Sequence, residues 1–147
     1  MLSRQMIISG SAATSAMTLF SYLVSVYQKQ VFLEPSLLGT LLNTFIRRKD
    51  VSIAAGWVVH YSIGITWSAL FEYLVQQNKI RKTAKYGMLY GLLSGLAGIV
   101  SWDLIFRANP SKPRIKYSSF YQQLFLAHYV FVYMLILQGR MENKKLG

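Results

Sequence analysis

The sequence predicts an all-α membrane protein: four transmembrane helices in a bundle, with one short amphipathic helix at the interface. Three observations carry that prediction. Hydrophobic residues make up 53% of the chain and charged residues only 14%, against about 25% charged in an ordinary soluble domain. The 16 lysines and arginines gather into short groups. Between those groups run four nearly uncharged stretches, each long enough to supply the roughly 20 apolar residues of a spanning helix. At 147 residues the chain reads as a single membrane domain, residues 1–147.

The spans are expected at residues 6–27, 51–75, 86–106 and 120–138. Tyr27, Tyr73, Tyr86, Trp102, Tyr117 and Tyr121 fall near their ends, as aromatic belts do. The first uncharged run outlasts the roughly 7–15 apolar residues of a signal peptide, so it is expected to be a span. "QQNKIRKTAK" makes a short basic turn between the second and third spans. "RANPSKPRIKYSS" makes a stiffer one, because Pro110 and Pro113 cannot continue a helix. The connection after the first span has a pattern of its own. Over residues 35–47, Leu37, Leu38, Leu41, Leu42, Phe45 and Ile46 share one helical face, with Gly39, Thr40, Asn43 and Thr44 opposite. Pro35 suits a first turn, and Arg47, Arg48 and Lys49 suit the negative end of the helix dipole. At 1.5 Å per residue this helix is too short to span. It is expected to lie along the membrane or to plug the bundle.

The net charge of +11 sits at the flanks of the spans. The expected partners are therefore the anionic headgroups of a lipid bilayer, and not nucleic acid. The basic residues divide evenly between the two sides, so the positive-inside rule assigns no orientation. With no cysteine, the chain has no disulfide, thiolate metal site or iron–sulfur cluster.

Small residues mark packing seams. In the third span Gly87, Gly91 and Gly95 recur every four residues, a doubled G-x-x-x-G that admits another helix backbone to backbone. The second span carries a ridge of Ser52, Gly56, His60, Gly64 and Ser68. These faces are expected to pack within the bundle or to form a homodimer.

Ionisable groups inside spans are costly, which makes them candidates for a ligand or proton site. There are four: His60 and Glu72 in the second span, Asp103 in the third and His128 in the fourth. The two histidines each lie about 15 Å along their helices, near the middle of a hydrocarbon core about 30 Å thick. Asp103 and Glu34 belong to one side above them, and Glu72 to the other. Glu72 and Asp103 are close enough to span ends to meet basic flanks. The imidazoles are expected either to stay neutral and bond neighbouring helices, or to form a site. As a site they would ligate haem from two sides, hold a metal ion with Asp103 or Glu34, or relay protons in a carrier.

"GSAATSAMTLFSYLVS", "GWVVHYSIGITWSALFEYL", "GLLSGLAGIVSW" and "LAHYVF" together resemble a family of small, uncharacterised four-helix proteins of the bacterial inner membrane. The resemblance implies that location and brings no activity or catalytic residue. The balanced charge and four short helices also resemble the small multidrug resistance transporters. That family's pattern has a glutamate within the first span, whereas residues 6–27 contain no charged residue. The first expectation is thus a non-enzymatic integral membrane protein with no catalytic residue. A small transporter or proton-linked carrier is the second, and a protein binding haem or a metal through His60 and His128 is the third.

Overall fold

The structure, a computed structural model, describes residues 4–110 and 112–145, the side chains of 140–145 excepted. Five helices and no strand occur among the described residues: α1 (Arg4–Gln28), α2 (Glu34–Ile46), α3 (Lys49–Gln76), α4 (Ala84–Ala108) and α5 (Tyr117–Lys145). α1, α3, α4 and the first 23 residues of α5 are each long and apolar enough to cross a membrane. They match the four expected spans to within a few residues at most ends, α5 continuing beyond 138.

Around the bundle the packed neighbours run α2, α3, α1, α5, α4. α4 reaches α3 through a layer of rings. Tyr90 meets Phe71 and Trp67 at centroid distances of 5.0 and 5.9 Å, and its hydroxyl donates to the Trp67 carbonyl at 2.7 Å. A second ring layer lies at the other end. Trp102 packs on Phe106 at 5.1 Å and on Phe120 at 5.3 Å, and Phe32 reaches Phe120 at 6.0 Å. Pairs of this kind contribute about 0.5–1.5 kcal/mol each beyond their buried area. Trp102 is therefore a core residue, 8% exposed, and not part of an interfacial belt. Its position one turn before Phe106 turns it toward α5.

α2 departs from its expected single apolar face. It buries Glu34, Leu37 and Leu41 toward the bundle interior, and it also buries Pro35 and Gly39. Phe45, expected on the apolar face, is 77% exposed. The cause is a close approach to α3. A methyl group on Gly56 would lie 2.5 Å from the Gly39 nitrogen and 2.8 Å from its Cα, and against the Pro35 carbonyl oxygen. Small residues on both helices let α2 wedge flat against α3, so the helix has two buried sides.

The glycines also pack differently from the expected backbone seam. On α4, Gly91 receives the ring of Tyr129, Gly95 that of Phe125 and Gly98 the imidazole of His128. Gly87 meets the tip of Ile136. This ridge is a row of sockets for α5 side chains, filled within one chain. Closer backbone contact occurs on α1, where a methyl on Gly10 would lie 2.8 Å from the Ile65 Cα, while Gly64 faces the Thr14 side chain.

The two kinds of glycine should respond differently to alanine. Gly56→Ala sets a methyl against backbone that cannot yield, and should cost about 1–3 kcal/mol by overpacking. Gly87→Ala crowds the rotatable tip of Ile136 and touches Val132 at an ordinary contact distance of 3.4 Å. There a helix-propensity gain of about 0.5–1 kcal/mol offsets the crowding. Thermal unfolding in detergent should show a lower midpoint for Gly56→Ala alone; equal losses would contradict the wedge.

Candidate functional site

All five helices enclose one cavity of about 280 Å³ between the two ring layers. α1 contributes Thr14 and Met17, α2 Glu34 and Leu38, and α3 His60, Ile63 and Trp67. α4 supplies Gly98, Ser101 and Trp102, and α5 His128 and Phe131. Among its lining residues, Ile63 of α3 and Ile105 of α4 are 49% and 39% exposed.

Glu34 reaches this cavity because of the turn before α2. Lys29 takes a left-handed conformation at φ 53°, and the Phe32 N–H donates to Ser25 Oγ at 3.1 Å. The returning chain sets the first residue of α2 beside Ser21, one turn before Ser25. Ser21 Oγ donates to Glu34 Oε1 at 2.7 Å, and Gln123 Nε2 of α5 donates to the same oxygen at 3.1 Å. The carboxyl is 1% exposed. Its other oxygen, Oε2, is buried with no hydrogen-bond partner among the described residues, as is Gln123 Oε1. Burial pushes the Glu34 carboxyl from its ordinary 4.5 up to about 7, more than the bonds from Gln123 and Ser21 pull it down.

The histidines are held by bonds that define their tautomers. His128 Nδ1 lies 2.8 Å from the Leu124 carbonyl, which only accepts, so this nitrogen carries the proton of the neutral ring. Its Nε2 is left as an acceptor, beside Gly98. His60 Nε2 lies 2.9 Å from Thr18 Oγ1, whose own proton goes to the Thr14 carbonyl at 2.7 Å. In the neutral ring Nε2–H therefore donates, and Nδ1 remains an acceptor. Both imidazoles are 7% exposed.

Of the four ionisable candidates in the long helices, the structure brings His60 and His128 to one cavity and leaves the other two outside. Glu72 pairs with Lys82 at 2.7 Å. Asp103 Oδ2 accepts from Arg107 Nε at 2.7 Å and Oδ1 from the Tyr121 hydroxyl at 3.2 Å. Each acid meets a basic flank. Among the described residues no group of three His, Cys, Asp or Glu side chains is arranged to hold a metal ion. Sequence reasoning missed Ser21, Gln123 and Thr18. Thr14, Thr18 and Ser21 form a polar stripe at i, i+4 and i+7 that was legible in the first span. Gln123, one of two adjacent amides early in the fourth apolar run, was legible too; its partner was not. No protein-family model, curated protein or solved structure matches the chain, so its function is read from the site's own geometry.

The buried carboxyl makes stability depend on pH. Between pH 4.5 and 7 the folded chain holds a proton on Glu34 that the unfolded chain has released. That contribution is fully present below pH 4.5 and is lost as pH rises through 7, by about 3 kcal/mol. The unfolding midpoint should fall between pH 5 and pH 8. Glu34→Gln, neutral throughout, should lack that part of the slope, and a slope identical to wild type would count against a protonated Glu34.

Proposed function

We propose that the four long helices cross a bilayer and that the cavity between them binds a small amphipathic solute, admitted sideways between α3 and α4. The bilayer is supported by what the bundle leaves uncovered. Only 17% of the apolar stretch of α3 is buried, and Leu19, Val26, Val58, Met88 and Leu104 are each well over half exposed. A surface this apolar does not suit water. The basic groups at the helix ends, such as Arg47, Arg48 and Arg81, then meet anionic headgroups. The resemblance in sequence agrees with a bacterial inner membrane.

The observation that carries the solute reading is the cavity itself. It has largely apolar walls and a few convergent polar atoms, which is the usual make-up of a small-ligand site. Its 280 Å³ falls just below the range of such sites, which is about 300–1,000 Å³. A one-ring molecule with a polar head fits that description. No group on the lining is paired as nucleophile and base, so binding is proposed and no reaction.

Two measurements test this. The protein should stay in the membrane pellet after alkaline carbonate. In detergent, a panel of one-ring amines, alcohols, hydrocarbons and carboxylic acids should contain at least one class that raises the unfolding midpoint. A ligand at about 100 times its Kd contributes about 2.7 kcal/mol. Ala97→Phe, which fills the cavity from α4, should abolish the shift. If no class shifts the wild type, the solute reading falls.

A further inference from the structure

We infer that the cavity takes an amphipathic ammonium, with its charged head at Glu34 and its apolar body between Trp102, Phe131 and Ile63. This rests on the solute reading above and names the ligand class.

The inference comes from polar atoms that residues lining the cavity leave unpaired. Glu34 Oε2 is buried with no partner among the described residues. His128 Nε2 and His60 Nδ1 are the unprotonated nitrogens of their neutral rings, because the opposite nitrogens bond Leu124 and Thr18. The two nitrogens are acceptors, and Oε2 becomes one when the carboxyl loses its proton. The lining hydroxyls add no donor, since Thr14 donates to the Gly10 carbonyl at 2.7 Å and Ser101 to the Ala97 carbonyl at 2.8 Å. The remaining donors are the indole N–H groups of Trp67 and Trp102, whose ring faces also attract cations.

Among the described residues no lysine or arginine lines the cavity. Lys82 and Arg107 are tied to Glu72 and Asp103. An anion would find one carboxyl and no counter-charge. A cation with N–H donors would find acceptors waiting, and it would compensate a carboxylate that is otherwise buried alone. Glu34 is also the first residue of α2, where the helix dipole favours the ionised form.

The exchange balances in atoms and charge. In the empty site the proton sits on Glu34 Oε2. When the ammonium enters, that O–H bond breaks, the proton leaves to solvent, and the carboxylate pairs with the ammonium. One cation enters for each proton released. Ser21 from α1 and Gln123 from α5 bond Glu34, and the other titratable groups described on the cavity lining are His60 from α3 and His128 from α5; α4 contributes none. Glu34 is thus the one acid in the exchange.

The test uses the full chain in detergent with 2-phenylethylamine, and with 2-phenylethanol and 3-phenylpropanoate as neutral and anionic counterparts. Calorimetry in buffers of different ionisation enthalpy should report close to one proton released per amine bound at pH 6, and close to none at pH 8.5. Affinity for the amine should rise roughly tenfold per pH unit below pH 7 and level off above it. Glu34→Gln should weaken amine binding at least tenfold and abolish proton release. The proton count on wild type needs no variant, so a misfolded Glu34→Gln leaves the test intact. Equal or tighter binding of the alcohol or the acid overturns the ammonium assignment and leaves the solute reading standing. Amine binding without proton release also overturns it. Failure of every compound in the wider panel removes both.

Discussion

The approach of Gly39 to Gly56 is the constraint on which the rest of this structure depends. Two glycines facing each other let α2 lie against α3 at a distance no side chain permits. Only from that position does the first turn of α2 reach under α1 and α5. Glu34 then meets Ser21 and Gln123, helices that are otherwise separated from it by 13 and 89 residues of sequence. Push α2 outward and the carboxyl leaves its donors, the cavity loses one wall, and Phe32 leaves Phe120. One backbone contact thus sets the position of the most strongly perturbed acid described here.

The energetics at Glu34 follow from an imbalance. Hydrogen bonds to a charged group contribute about 1.5–3 kcal/mol each, while the effective penalty for burying an ion is several kcal/mol. Both donors here converge on Oε1 and leave Oε2 bare. Two bonds to one oxygen do not offset the desolvation of the pair, so the carboxyl keeps its proton to about neutral pH. The same shortage of donors extends along the cavity, because the helix carbonyls of α1 and α4 take the hydroxyl protons of Thr14, Thr18 and Ser101. Helix geometry makes that bond easy for any serine or threonine four residues on. The scarcity of hydroxyl donors at the site is thus a consequence of building it from helices.

The other acids are kept out by nearer partners. Asp103 lies one turn before Arg107, and Lys82 sits in the short turn that begins a few residues after Glu72. Local pairs of this kind form before any long-range arrangement is needed. Glu34 has no cation within a turn on its own helix, and among the described acids it alone is buried without a counter-charge. The ring layers at Trp67, Phe71 and Tyr90 and at Trp102, Phe106 and Phe120 then close the two ends of the space beside it.

The four long helices and most of their ends were legible in the sequence, because each is an apolar run ended by charge, proline or a turn; α5 runs on past its expected end. The sequence also determined that Glu72 and Asp103 would meet basic flanks, since those partners lie within about a turn or one short loop. His60 and His128 were legible as polar groups at similar depth, from rise per residue alone. Tertiary structure decided the rest. Which way α2 turns, that Trp102 faces the core, that the α4 glycines hold rings, and that Glu34 joins the histidines all depend on contacts between residues far apart in the chain. Helical periodicity orders side chains around one axis; it carries no information about which neighbouring axis each face will meet.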